Sequence, residues 1–217
     1  MPDNPSILII FTTAFVIGFS GAIMPGPLLA YTISASAKYG FWAGPLIVLG
    51  HAILELSLVT LLVLGLDRFI ESDFVTSTIG LAGGMVLVVM GFSMARQGWR
   101  KASLPLESSA SIEENRRIVF SGIVVSMSNP YWFIWWATIG MTYLLWSLKL
   151  GVAGVSSFFS GHILADLSWY ALIAFILAKG KRIISDTVYH WLLLICGLAL
   201  VALGGYFIVS GVGFVMG

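Results

Sequence analysis

From Phe41 to Leu66 the sequence carries only two ionisable side chains, His51 and Glu55, in a stretch of Leu, Ile, Val, Ala and Gly. A helix needs roughly 20 apolar residues to cross a bilayer, and this stretch has them. Five more apolar stretches are long enough, so the expected spans lie near 6–36, 41–66, 75–96, 117–146, 151–178 and 190–213. The composition agrees: 59% of residues are hydrophobic and 10% charged, where a soluble domain has about a quarter charged. The expected fold is an all-α integral membrane protein of six transmembrane helices, a single transmembrane domain over residues 1–217.

Several function classes fall away at once. A net charge of +1 with no basic tract leaves nothing to neutralise a row of phosphates, which excludes nucleic acid as a partner. The one cysteine, Cys196, cannot form an internal disulfide or a two-thiol redox pair, and packing is its expected role. No nucleophile and base stand at a spacing that suggests an enzyme, and no cofactor motif is present. The opening "MPDNPSILII" lacks the basic leader of a secretory signal, and the apolar run after it is longer than a signal core, so it is assigned to the first span.

Between the third and fourth spans, "RQGWRKASLPLESSASIEENRR" is polar and Ser-rich, an extramembrane linker of about 99–116 between a first half of about 6–98 and a second of about 117–213. Lys38, Arg96, Arg100, Lys101, Arg116, Arg117, Lys179, Lys181 and Arg182 fall on the connections of one side, against Arg68 and Lys149 on the other. Basic residues accumulate on the cytoplasmic side, so the loop 97–116 is expected inside a cytoplasmic membrane and both termini outside.

The halves share a pattern. "GHAILELS" at 50–57 returns as "GHILADLS" at 161–168, with Gly, His, Leu and Ser in place and an acid at the same position. "LVVMGFSMARQG" at 87–98 aligns with "LVALGGYFIVSG" at 200–211, setting Gly91 over Gly204 and Gly98 over Gly211. Three helices per half would invert the second half relative to the first, a construction typical of secondary transporters.

Two spans are interrupted. Pro25, Gly26 and Pro27 break the first, which should leave the carbonyls of Gly21 and Ile23 without their usual partners; in the fourth, Asn129 can cap a helix that restarts at Pro130, freeing the Ser126 carbonyl. Counted from Lys38 and Arg117 at 1.5 Å per residue, both breaks lie roughly 17 Å deep, near the middle of a core about 30 Å thick. One reading is a pair of proline kinks that shape packing. The other is one site in which freed carbonyls attract a cation and exposed N–H groups attract a carboxylate, as a zwitterionic amino acid requires. That second reading makes Gly21, Pro25, Gly26, Pro27, Ser126, Asn129, Pro130 and Trp132 the candidate substrate-binding residues.

Glu55 and Asp166 also fall near mid-membrane, where an ionised acid costs at least about 2.5–3.5 kcal/mol, so each should face the bundle interior. His51 with Glu55, and His162 with Asp166, stand four residues apart and share a helix face. Three roles stay open for these groups: a satisfied structural pair, a proton relay, or a metal site of two imidazoles and two carboxylates. His190 is expected at an interface. Of the aromatic run Tyr131, Trp132, Phe133, Trp135 and Trp136, core packing is the default, with Trp132 the expected substrate contact.

The Pro-Gly-Pro break, the Gly-spaced second helix, the basic central loop and "SNPYWFIWW" resemble the LysE-type translocators, six-helix exporters of amino acids. That resemblance implies export across the cytoplasmic membrane driven by the proton gradient, with Pro25, Gly26, Pro27, Asn129 and Pro130 in the site. Many members follow Asn-Pro with Lys, where this chain has Tyr131, so the substrate of the best-known members does not carry over. The expected function is proton antiport of an amino acid or similar small metabolite, with the lipid bilayer and the small-molecule substrate as partners and a homodimer left open. The alternative is a divalent metal exporter using His51, Glu55, His162 and Asp166.

Overall fold

The computed structural model describes residues 6–24, 26–64, 73–101, 111–179 and 185–216, and these are helical with no strand among them. In chain order the elements are α1 (Ile7–Ala22), α2 (Pro27–Tyr39), α3 (Ala43–Val63), α4 (Asp73–Trp99), α5 (Ile112–Met127), α6 (Pro130–Trp135), α7 (Met141–Ser147), α8 (Gly151–Ala178) and α9 (Asp186–Met216). A π turn, Trp136–Gly140, joins α6 to α7, and a 3₁₀ turn, Leu148–Leu150, leads into α8.

Local chemistry sets the boundaries. Ser6 caps α1 by accepting from the Ile9 N–H. Ser111 and Glu114 form a reciprocal capping box that starts α5 at Ile112, several residues ahead of the expected 117. Asn129 accepts from the Tyr131 N–H and Pro130 takes the first position of α6, as the sequence expects. Two turns need glycine: Gly40 (φ 79°) ends α2 and Gly151 (φ 59°) separates the 3₁₀ turn from α8, a conformation that side chains with a Cβ disfavour.

Ala43–Val63, the helical run Tyr131–Ala178 and Asp186–Val209 are long and apolar enough to cross a membrane. α1 and α2, bent by 81°, pass the same test as a pair. Many large apolar side chains point outward, among them Leu49, Ile53 and Leu56 on α3 and Ile195, Leu198 and Val209 on α9, while the inward face of α3 carries His51 and Glu55. Contiguous exposed apolar surface on this scale suits lipid rather than water. The chain is a multi-pass membrane protein.

Glycine sets the helix spacing, because small residues let backbones approach where no hydrophobic effect drives association. α4 and α9 pack antiparallel along their length: a Cβ on Gly84 would meet the Gly204 carbonyl at 2.8 Å, one on Gly91 the Gly197 carbonyl at 2.6 Å, and one on Gly98 the His190 carbonyl at 2.6 Å. α1 packs on α8 and α3 on α5. At these two contacts a Cβ on Gly161 would fall on the Phe11 carbonyl, and one on Gly50 would fall on the Val119 carbonyl. α3 and α8 themselves cross, with Gly44 against Tyr170 and Ala174.

Candidate functional site

The crossing of α3 and α8 decides what the two Gly-His segments do. Each glycine lies flat against a neighbouring helix, Gly50 on α5 and Gly161 on α1, and the histidine that follows turns into the bundle. One helical turn later comes the acid, on the same face. His51, Glu55, His162 and Asp166 are thereby all buried, with one ligand-capable atom from each within 4.8 Å of every other.

Distances inside this quartet are short. His51 Nε2 lies 3.2 Å from Glu55 Oε1 and 3.6 Å from Asp166 Oδ2. His162 Nε2 lies 3.0 Å from Glu55 Oε2 and 3.5 Å from Asp166 Oδ2. His162 Nε2, Glu55 Oε2 and Asp166 Oδ2 are nonetheless buried without an aligned hydrogen bond among the described residues.

Neighbouring helices fix the quartet's orientation. His51 Nδ1 and Ser126 Oγ on α5 are hydrogen-bonded at 2.8 Å. The indoles of Trp132 and Trp136 both donate to Glu55 Oε1, at 2.9 and 2.7 Å. Trp135 stacks on the His162 ring, centroids 4.5 Å apart and planes 23° apart, and donates its own N–H to Ser20 Oγ at 3.0 Å. These indoles occupy one face because positions i, i+3 and i+4 of a helix coincide in direction.

The quartet closes one end of a cavity of about 40 Å³ whose walls include Gly21, Met24, Gly26, Leu28, Ser126, Asn129, Tyr131, Trp132, Trp135 and Tyr170. That is little more than the roughly 30 Å³ one water occupies in the liquid. Both helix breaks and both acids therefore border the same space. Of the sequence candidates, Gly21, Gly26, Ser126, Asn129 and Trp132 line the cavity with all four members of the quartet. Pro27 is buried at the first position of α2, Pro130 opens α6, and Pro25 lies outside the described residues.

One expectation needs correcting. The Gly21 carbonyl is not free, since the Met24 N–H donates to it at 3.3 Å, and the Ser126 carbonyl accepts from the Asn129 N–H at 3.0 Å. Each helix end tightens into an i to i+3 bond, the ordinary way an orphaned carbonyl at a terminus is satisfied. Ser126 enters the site through its hydroxyl instead. Spacing alone also missed Tyr131, Trp135, Trp136 and Tyr170, although the indole spacing on α6 held the signal.

The two restarting helices differ at their N-termini. Asn129 caps α6 with its own side chain, whereas Gly26 gives α2 none, which leaves the first N–H groups of α2 beside Leu28 uncapped by any side chain. The cavity lining thus combines Gly26 and Leu28, at the positive end of α2, with the carboxylates of Glu55 and Asp166.

A sequence model described as LysE type translocator matches residues 19–211. The chain belongs to the LysE type translocator family. As a member of that family with apolar spanning helices, it is a membrane transporter. It is 24% identical over 96% of its length, and 99% of the relative's, to a Bacillus subtilis (strain 168) protein named "Putative amino acid efflux protein YcgF". It is 26% identical over 92% of its length, and 97% of the relative's, to a Pseudomonas aeruginosa protein named "Chemotactic transduction protein ChpE". No solved structure matches the chain.

Proposed function

We propose that this LysE type translocator exports an amino acid or a similar small zwitterionic metabolite across the cytoplasmic membrane, in exchange for protons bound at Glu55 and Asp166. The single observation that carries the reading is the shared cavity, whose lining includes two buried carboxyls together with Gly26 and Leu28 at the start of α2. An ammonium would lie against Asp166 and Glu55, and a carboxylate against the first N–H groups of α2. Half-helix N-termini holding anionic substrate groups near mid-membrane are a recurring transporter device. The name of the Bacillus subtilis relative points to the same substrate class.

His51 and His162 would pass protons between the acids and the cavity, since Nε2 of each imidazole lies 3.0–3.6 Å from both carboxyls. A six-span arrangement of two inverted halves supports the transport cycle. It draws on the paired contacts of α1 with α8 and α3 with α5, and on the self-paired α4 and α9. Rocking of one half against the other would open the cavity to alternate sides, with the linker 99–116 inside and both termini outside.

The test is reconstitution into vesicles with a panel of amino acids on one side and a pH-sensitive dye within. The expected result is proton movement that depends on one class of amino acid and disappears when Glu55→Gln and Asp166→Asn are combined. Proton movement in that double variant equal to the unmodified protein would overturn the role of the carboxyls. No coupled movement with any amino acid would overturn the substrate and coupling together.

A further inference from the structure

We infer that the quartet His51, Glu55, His162 and Asp166 is a tetrahedral site for a divalent first-row transition ion of the Zn²⁺ type, and that an ion bound there clamps α3 to α8. The geometry comes first. In a tetrahedral centre with Zn–N and Zn–O bonds of about 2.0–2.1 Å, neighbouring ligand atoms stand about 3.3 Å apart. With Glu55 Oε2 and Asp166 Oδ2 as the carboxylate ligand atoms, three imidazole-to-carboxylate separations are 3.0, 3.5 and 3.6 Å, near that edge length, and one ligand-capable atom from each of the four residues lies within 4.8 Å of every other.

Three of the ligand-capable atoms, His162 Nε2, Glu55 Oε2 and Asp166 Oδ2, converge without being hydrogen-bonded to one another among the described residues. Buried polar atoms so placed need a common partner, and an ion at their centre supplies it. The donor set is two imidazole nitrogens and two carboxylates, chemistry that suits Zn²⁺. Charge agrees as well, because two carboxylates balance a divalent ion and the filled site brings no net charge into the membrane interior.

An outer layer is in place around His51 and Glu55, while His162 Nδ1 is buried without a hydrogen bond among the described residues. Metal-bound histidines bond through the second ring nitrogen, and His51 Nδ1 has Ser126 Oγ at 2.8 Å for that purpose. Glu55 is held by the indoles of Trp132 and Trp136, and His162 by its stacking on Trp135. The ligands come from two helices, each giving one histidine and one acid. An ion would therefore bind the helices that must part before the cavity can enlarge. That consequence, the arrest of exchange, rests on the proposed transport cycle; the binding itself does not.

Chelator-treated protein in detergent, titrated with Zn²⁺, should retain one ion per chain after desalting and unfold at a higher temperature. Combined His51→Ala and His162→Ala, shown to remain helical and monodisperse, should abolish retention. Ser126→Ala, a milder change, should weaken it about tenfold or more. Co²⁺ in place of Zn²⁺ should give the intense visible absorption of a tetrahedral centre. Failure of the unmodified protein to retain Zn²⁺, retention that survives loss of both histidines, or the weak absorption of six-coordinate Co²⁺ would each overturn the site. In vesicles Zn²⁺ should stop amino-acid-driven proton movement; transport of Zn²⁺ itself that depends on His51 would overturn the clamp. A protein that moves amino acids but retains no Zn²⁺ sinks only this inference. One that retains Zn²⁺ but moves no protons sinks only the transport reading.

Discussion

The two Gly-His segments differ by little in sequence yet sit in unlike surroundings. On α3, Glu55 accepts two indole hydrogen bonds and His51 is paired with a serine hydroxyl. On α8, Asp166 Oδ2 makes no hydrogen bond among the described residues, and His162 is held by the face of Trp135. The α3 acid is held by two indole donors, and the α8 acid has neither. A repeated motif can thus supply two differently held acids to one site, with the difference imposed by Trp132 on α6 and Trp136 at the start of the π turn.

That contrast can be broken most forcefully at the acids. Glu55→Ala strands two buried indole donors and takes the nearest acceptor from both imidazoles, so it should cost about 3–5 kcal/mol. Asp166→Ala removes fewer bonds and should cost about 1–3 kcal/mol. Unfolding in detergent followed by circular dichroism measures both, and equal losses would erase the distinction that the indole donors make between the two acids. Gly50→Ala and Gly161→Ala test the likeness of the halves instead, since each new Cβ would strike a carbonyl of the neighbouring helix. Both should lose about 1–3 kcal/mol and to a similar degree; a large loss in one alone would mean that the two contacts are not equivalent.

Smaller changes sharpen the contrast between the histidines. Ser126→Ala should cost about 1–2 kcal/mol and loosen the His51 ring, while Trp135→Leu should loosen the His162 ring and spare His51. Imidazole resonances in a nuclear magnetic resonance spectrum would report which ring moves. If Ser126→Ala disturbs both rings equally, the two are not held independently.

The smallest effect lies at the polar start of α5, ahead of its apolar segment. The Ser111 backbone N–H, and then its hydroxyl, hold the Glu114 carboxyl below the usual glutamate range. A carboxyl with a depressed pKa lends stability above its unfolded value and loses it as the pH falls through the folded one. Glu114→Gln should therefore fray the first turn of α5 at neutral pH, with the gap from the unmodified protein closing on acidification as Glu114 protonates. Hydrogen exchange at Asn115 and its neighbours would show this, and a pH-independent gap would remove Glu114 from the cap.

Much of this was legible in the sequence. Apolar runs marked the helices, Asn129 and Pro130 marked the restart of α6, and the four-residue spacing placed each histidine and acid on one face. What spacing within a segment cannot state is how two segments cross. Only the contact of α3 with α8, set by Gly44 against Tyr170 and Ala174, brings the four side chains to one point. The indoles do pack in the core, and their donor roles were missed for a related reason: a tryptophan near mid-membrane reads only as packing until its N–H has an acceptor to find. The Gly21 and Ser126 carbonyls, expected to be free, are not, because a helix end has a local remedy, a tighter turn, that competes with any ligand.

The cavity of about 40 Å³ has a consequence for binding strength. Pockets for small organic ligands run to roughly 300–1,000 Å³. The proposed amino-acid substrate would therefore have to select a wider form of the protein, and its apparent dissociation constant would be the intrinsic one divided by the fraction of molecules already wide. A carrier so tightly shut at rest would show weak affinity even with well-matched contacts. Substitutions that ease the parting of α3 and α8 would then tighten binding without touching the ligand.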